Sequence, residues 1–363
     1  MTVDKRFSLV LSGGGLKGLA HVGVFRALEE HDMQPSLVVG SSMGSLIAAA
    51  WAAGLSLREM LKRAIGARRK DVFRVAHTDM ALRRMNAPAV YRPDPLEALI
   101  HSLVADRTFD ELPRSLVINT VDIDSGTQVL WGTPGLTHIR VADAVFASCA
   151  LPGLFPPREI NGHHYCDGAL ITNLPVRAAL GLGQAPVIAV HVGVTSTQAG
   201  TERSGFASNY VRGFEIVMRT MLEGATRHWH GHPVLLVEPR VEHISMFSFN
   251  DTREMIEEGY RATTEALAEY RERLFVDEPG IYPQRRVRVV VDRDRCIGCT
   301  ACVWRAPDVF RMTSDQKAEV IAEHQVWSPF DGGYIHNCPT RAITAHLEDD
   351  GKAVNEGRTT PAT

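Results

Sequence analysis

An excess of either sign of charge is lacking in this 363-residue chain, where 39 Lys and Arg oppose 42 Asp and Glu for a formal net charge of −3 at neutral pH. With no basic stripe to meet a phosphate backbone, no nucleic-acid partner is expected. No basic segment followed by an apolar run opens the sequence, so no secretory signal is expected either. The most apolar stretch, Leu37 to Leu55, is broken by serines and glycines; it reads as a buried strand and helix rather than a membrane span. No internal repeat is visible. Cysteines number only six, and four of them fall after Pro283. Aromatic residues are few, at 7%, but hydrophobic residues reach 45%, which is ordinary for a folded globular chain of two unequal domains with one large core.

What is present begins with Gly40-Ser41-Ser42-Met43-Gly44, a GxSxG pattern. Glycine is needed on both sides because such a serine occupies a strained strand-to-helix turn where neighbouring side chains clash. The flanks fit, with Leu37-Val38-Val39 as a short buried strand and Leu46 to Trp51 as the following helix. Ser42 then stands at a helix N-terminus, where the dipole and free N–H groups favour developing negative charge. Gly13-Gly14-Gly15-Leu16-Lys17-Gly18 lies one strand-helix unit earlier, after the apolar strand Phe7 to Leu11 and before an amphipathic helix from about Lys17 to Glu30. Bare backbone donors aimed at a carbonyl oxygen form an oxyanion hole, each worth roughly 3 to 4 kcal/mol of barrier. The pairing of glycine loop and elbow points to acyl transfer.

Gly13, Gly15 and Gly18 also satisfy the GxGxxG spacing of a dinucleotide loop. That reading needs an acid about 20 positions on, at the end of the next strand, and this strand ends in Gly40-Ser41-Ser42. A base for Ser42 is offered by Asp167 in Tyr165-Cys166-Asp167-Gly168-Ala169-Leu170, although Asp-Gly by itself commonly marks a turn. It follows Ala147-Ser148-Cys149-Ala150-Leu151-Pro152-Gly153-Leu154-Phe155-Pro156-Pro157. With these four blocks in this order, the region from about Arg6 to Phe275 resembles the patatin-like phospholipases, with Lys17 in place of the more usual arginine and Ala169 in place of a second glycine. The resemblance implies a Ser-Asp dyad, Ser42 as nucleophile and Asp167 as base, with Gly13, Gly14 and Gly15 as oxyanion donors. An ordinary aspartate titrates near about 3.9, so Asp167 is expected to be desolvated and its pKa raised.

A Ser-His-Asp triad is the rival mechanism, with His191, His228, His230, His232 or His243 as the third member. Against it, Ser42 follows the second strand, whereas in α/β-hydrolases the elbow follows several. His228, His230 and His232 also raise metal binding, but an i, i+2 spacing on a helix spreads them over different faces, so a solvated helix end is expected.

The stretch 277–286 is short, polar and broken by Pro279 and Pro283 and reads as a linker. After a strand from Val287 to Val291 come Cys296-Ile297-Gly298-Cys299-Thr300-Ala301-Cys302 and, much later, Cys338-Pro339. Three thiolates at intervals of three can wrap one face of an iron-sulfur cubane, and a distant cysteine before proline can close it. Zinc sites more often show two CxxC pairs. With Asp292 to Arg295 before the first cysteine, Ala306-Pro307-Asp308-Val309-Phe310 after the third, and Cys338-Pro339-Thr340-Arg341-Ala342-Ile343 at the end, residues 285–346 resemble a bacterial-type single-cluster ferredoxin. That resemblance implies a [4Fe-4S] cluster on Cys296, Cys299, Cys302 and Cys338, an electron-transfer partner, and extra helix and loop between Cys302 and Cys338 where a second cluster has been replaced. A labile cluster belongs in a reducing compartment, so Cys149 and Cys166 are expected to be unpaired small apolar residues and the location cytoplasmic.

Further strands are expected at Leu116 to Asp122, Gln128 to Trp131, Val187 to Val192 and Val234 to Val237. Helices are expected around Ala142 to Ala147, Pro175 to Leu180, Phe206 to His228 and Asp251 to Leu274. Such alternation indicates an α/β fold with a mostly parallel sheet between helical layers, a three-layer patatin-like domain over 1–276, then the linker, a small α+β ferredoxin-like domain over 287–346 and a disordered polar tail over 347–363. The largely helical Leu57 to Leu103 segment is expected to cap the site and shape an acyl pocket. Its basic clusters Lys62-Arg63 and Arg68-Arg69-Lys70, with Val72-Phe73 and Met80 to Met85 nearby, can touch an anionic lipid surface peripherally, though charged helix faces are usually just solvated. The expected activity is ester hydrolysis on a lipid or related carboxylic ester, with the iron-sulfur domain serving regulation, partner docking or coupled redox chemistry. The alternative is an electron-transfer or scaffold protein whose hydrolase-like domain only binds acyl chains.

Overall fold

A computed structural model of the chain describes residues 6–76, 89–183, 186–193, 206–276 and 278–348. The expectations for Met80 to Met85 and for the tail beyond Glu348 lie outside these residues. The chain divides into two compact units, one ending at Gly280 and one beginning at Ile281.

The first unit is built on a mixed sheet flanked by helices. In chain order its strands are β1 (Ser8–Leu11), β2 (Leu37–Ser41), β3 (Leu116–Asp122), β4 (Thr127–Trp131), β5 (Arg158–Ile160), β6 (His163–Asp167), β7 (Val187–Val190) and β8 (Pro233–Val237). They lie side by side as β5-β6-β3-β2-β1-β7-β8, with β4 also paired to β3. The run from β3 through β8 is parallel. Its strands are mostly apolar and buried along their length, as helices on both faces demand.

The helices are α1 (Ala20–Glu30), α2 (Met43–Ala52), α3 (Leu57–Gly66), α4 (Asp94–Val104), α5 (Val141–Cys149), α6 (Val176–Gly181), α7 (Phe206–Thr226) and α8 (Thr252–Phe275). α1 packs along α8, whereas α2 and α4 both pack on α5. Local signals set the ends. Ser56 and Glu59 close a reciprocal capping box at the start of α3, in which the Ser56 hydroxyl accepts the Glu59 N–H at 3.3 Å and Glu59 accepts the Ser56 N–H at 3.2 Å.

The expectation of a mostly parallel sheet needs correction at one edge, where β4, β6 and β5 are antiparallel. Asn161 and Gly162 join β5 to β6 with φ of 52° and 82°, the paired left-handed geometry of a type I′ hairpin turn. The hairpin turns the chain back on itself, so β6 runs against β3 and sets Asp167 opposite Thr120.

In the stretch expected as a linker, β9 (Gly280–Tyr282) is extended and buried, in keeping with the bias of a residue before proline, here Pro283, towards extended backbone. The second unit then holds β10 (Arg285–Val291), α9 (Ala301–Arg305), β11 (Phe310–Met312), β12 (Ala318–Val320), β13 (His324–Trp327), α10 (Gly333–His336) and β14 (Ile343–Leu347). β10 lies between β13 and β14, antiparallel to both, and β11 pairs with β12. Between Cys302 and Cys338, where extra helix and loop were expected, three of the elements are strands. The reason is local: Phe310-Arg311-Met312 and Ala318-Glu319-Val320 alternate apolar and charged residues with the period of a half-buried strand. Val287, Val289, Phe310, Tyr334, Ile335, Ile343 and Ala345 form the core of this unit.

Candidate functional site

Ser42 occupies the turn between β2 and α2 with φ 52° and ψ −128°. A side chain at positive φ costs of order 1 to 3 kcal/mol, so the surroundings must enforce the turn. They do so by close packing and by hydrogen bonds. A Cβ on Gly44 would come within 2.4 Å of the Leu11 carbonyl oxygen, which leaves no room for any other residue there. The Ser42 N–H donates to Ser148 Oγ at 2.9 Å, and the Ser148 hydroxyl donates to the Asn119 carbonyl at 2.7 Å. α5 and β3 thereby grip the elbow from the backbone side.

Ser42 and Asp167 line the same cavity, although the two are far apart in sequence, and the serine hydroxyl is near enough to favour the ionised carboxylate. Asp167 is 3% exposed. Burial pushes its pKa up to about 7, against the opposing pull of the Ala169 N–H, which donates to Oδ1 at 2.9 Å, and of Ser42. A carboxylate in that state can accept a proton near neutrality, which one in water cannot do effectively.

The glycine loop arrives from the other side. A Cβ on Gly13 would lie 2.7 Å from the Cβ of Ser42, so only glycine lets the loop approach the serine. The Gly13 N–H, expected among the oxyanion donors, is instead taken by Asn173 Oδ1 at 3.0 Å, while Asn173 Nδ2 donates back to the Gly13 carbonyl at 3.3 Å. Leu16 N–H is likewise spent on the Met246 carbonyl at 2.9 Å. Among the described residues, the N–H groups of Gly14 and Gly15 have no protein acceptor.

These groups line one cavity of about 70 Å³ with Met43, Val72, Phe73, Leu96, Phe155 and Phe247 on its apolar side. Phe73 packs against the rings of Tyr91, Phe155, Phe247 and Phe249. Cys149 also lines the cavity, but burial and the neighbouring Asp167 charge raise its pKa, so its thiol stays protonated. None of the histidines considered for a triad lines it. His191 is buried just after β7, and its pKa is pushed down to about 3 by burial and then by His21 and Lys17. His228, His230 and His232 are exposed beyond α7, and His243 pairs with Glu254 at 2.8 Å. The described residues that do gather three metal-ligand atoms are Asp122, Asp124 and His163. Asp122 Oδ1 is already occupied by the N–H groups of Asp124 and Ser125 at 2.9 and 3.2 Å.

In the second unit Cys296, Cys299, Cys302 and Cys338 line one small cavity. Backbone donors point at two of the sulfurs, Ala318 N–H at Cys296 Sγ (3.4 Å) and Ala342 N–H at Cys338 Sγ (3.3 Å). Burial opposes ionisation of Cys338, yet the N–H of Ala342 and the Thr340 hydroxyl hold its thiol below the ordinary range. Four convergent thiols with amides aimed at sulfur suit a four-cysteine iron-sulfur cluster.

Residues 9–180 match the patatin-like phospholipase family model, and residues 291–345 match that of the 4Fe-4S single cluster domain of ferredoxin I. The chain carries a patatin-like phospholipase domain. An uncharacterized NTE family protein of Mycobacterium tuberculosis is 28% identical over 198 residues, which is 54% of this chain and 51% of that protein. Patatin-like phospholipase domain-containing protein 6 of Mus musculus is 31% identical over 188 residues, 51% of this chain and 13% of that protein. The chain thus spans about half the length of the mycobacterial relative. Among solved structures, VipD of Legionella pneumophila aligns over 73% of this chain and 67% of its own, with a TM-score of 0.43 and 15% identity.

Within the patatin-like domain, two residues that the sequence reading passed over act on the site through others. Ser148, inside the Ala-Ser block, bridges the elbow to β3. Asn173, six residues past Asp167, ties down Gly13. Neither carries a spacing signal, because each bonds to backbone more than 100 positions away.

Proposed function

We propose that the patatin-like domain is a serine acyl hydrolase acting on lipid or related carboxylic esters. The observation that carries this reading is the meeting of Ser42 and a buried Asp167 on one cavity, beside two glycine N–H groups that have no protein acceptor among the described residues. Ser42 Oγ attacks the ester carbonyl as Asp167 takes its proton, and the N–H groups of Gly14 and Gly15 receive the oxyanion. Asp167 then returns the proton to the departing alcohol, leaving an acyl group on Ser42. Water, deprotonated by Asp167, releases the acid and restores the hydroxyl. The cavity is well below the roughly 300 to 1,000 Å³ of ordinary ligand sites, so a long acyl chain requires Phe73, Met218 and Phe247 to change rotamer. Ester and lipid profiling of anaerobically purified protein, with Ser42→Ala alongside, tests the reading, and equal turnover by both proteins rejects it.

Asn173 positions the loop without touching substrate. Its replacement by alanine leaves Gly13 N–H and C=O without partners, which costs about 1 to 3 kcal/mol of stability. Asn173→Ala should lower the melting temperature and cut kcat by roughly tenfold or more, with KM changing less, because the oxyanion donors matter most in the transition state. A fall in melting temperature with kcat unchanged would restrict Asn173 to holding the fold.

Cys296, Cys299, Cys302 and Cys338 are assigned as the holders of a [4Fe-4S] cluster, a group that supplies one-electron chemistry when bound. Ester hydrolysis consumes no electrons, so a redox-regulatory or electron-transfer role with a partner protein is proposed for this domain. Cys338→Ser protein should purify with a clear loss of iron and of brown colour. Its ester rate, set beside those of oxidised and reduced native protein, reads the coupling, and identical rates in all three would remove the regulatory role. Among the described residues no helix is long and apolar enough to cross a membrane. A cytoplasmic location, with peripheral contact to lipid, fits the labile cluster.

A further inference from the structure

A wider concavity of about 740 Å³ opens between α3 and the start of α4. It contains none of the residues assigned to ester chemistry. Its lining brings Lys62, Arg63, Lys70 and Arg74 together with Glu59, Asp71 and Asp94. The acids are largely spent on local bonds. Glu59 Oε2 accepts the N–H and hydroxyl of Ser56 at 3.2 and 3.0 Å, and Asp71 Oδ2 accepts the Arg68 N–H at 2.9 Å. The Asp94 carboxylate is shared between Arg92 at 2.7 Å and Arg74 at 3.6 Å. Arg63 donates to a neutral group, the Ser102 hydroxyl, at 3.1 Å. Lys62 and Lys70 are exposed and form no salt bridge among the described residues. Glu59 feels the charges of Arg63 and Lys62 one turn away, but one carboxylate cannot neutralise both.

The concavity shares a wall with the site at Ser42. From the chain around residue 72, Val72 and Phe73 face the Ser42 cavity, while Lys70, Asp71 and Arg74 face the basic cleft. From α4, Leu96 lines the former and Pro95 and Ala98 line the latter. We propose that this cleft binds a phosphoryl group. Several cations around one concavity call for a ligand carrying more than one negative charge on several acceptor oxygens, which a phosphoryl group offers and a single carboxylate does not. A ligand held there lies one residue's thickness from Phe73, the ring at the centre of the aromatic cluster. The assignment deepens the acyl-hydrolase reading by naming a phosphorylated ligand beside the acyl pocket, and its test is made independent of catalysis.

Binding is read on Ser42→Ala protein by co-sedimentation with phosphatidylcholine vesicles with and without phosphatidylglycerol, and by calorimetry with inorganic pyrophosphate. The expected result is binding that requires phosphatidylglycerol or pyrophosphate and falls roughly tenfold or more when Lys62→Ala and Lys70→Ala are added. Replacing two exposed arginines of α8 instead, Arg253→Ala and Arg273→Ala, should leave it unchanged. Displacement from vesicles by pyrophosphate assigns the cleft to a lipid head group, and pyrophosphate binding without vesicle binding assigns it to a soluble phosphorylated ligand. The proposal is overturned if the lysine variant binds like its parent, if the arginine control loses as much, if neutral vesicles bind equally well, or if the parent binds neither ligand. Melting temperatures of both variants exclude unfolding as the cause.

Discussion

Ester turnover in Ser42→Ala should fall by at least about 10⁴-fold, the scale seen when a hydrolase loses its nucleophile. Alanine is the informative replacement because it keeps the Cβ, so the backbone strain at φ 52° is the same in both proteins. The grip on the elbow is also retained, since Ser148 accepts from the Ser42 N–H and not from its side chain. What disappears is the hydroxyl that shares the cavity with Asp167. That hydroxyl opposes the effect of burial on Asp167, so its loss should raise the Asp167 pKa further and lower stability above neutral pH, where the carboxylate is ionised. The kcat/KM on a chromogenic ester measures the first effect and a melting curve the second. A residual rate above about a hundredth of native would mean that another group can carry the acyl group.

How much of this site could be read beforehand depended on what its parts require of the sequence. The elbow was legible because steric exclusion writes itself as glycine: at Gly44 and Gly13 the Cβ of any other residue would collide with backbone or with Ser42. The four cysteines were legible because metal ligation fixes both residue type and spacing. The choice of oxyanion donors was not legible, since every residue in the loop has an N–H and only folding reveals that Asn173 occupies the one on Gly13. The strand carrying Asp167 is a middle case. Asn161-Gly162 is a strong hairpin signal, and reading it would have placed Asp167 at the end of an antiparallel strand, which the Asp-Gly dipeptide alone does not. The strands between Cys302 and Cys338 were likewise signalled by alternation over three residues at a time, too short a window to outweigh an expectation of helix and loop.

Asp167→Asn should abolish most activity and, at the same pH, make the protein more stable. Activity in the native protein depends on the ionised carboxylate, so kcat/KM should rise with pH and reach half its plateau near the folded-state pKa of about 7. Stability runs the other way. The folded pKa lies above the unfolded value of 3.8, so between these limits the folded state binds more protons and loses stability as pH rises. A gap of that size corresponds to something on the order of 4 kcal/mol by pH 8, a cost that ionised Asp167 imposes on the fold. Asparagine cannot ionise, and its Oδ1 can still accept the Ala169 N–H that Asp167 Oδ1 receives at 2.9 Å. The variant should therefore melt several degrees above the native protein at pH 8, with the difference shrinking towards zero as pH falls to about 4. A rate profile that is flat from pH 5 to pH 9, or a variant less stable than the native protein at pH 8, would remove the buried carboxylate as the base. Both outcomes together would leave the proximity of Ser42 and Asp167 as a feature of the fold and not of the reaction.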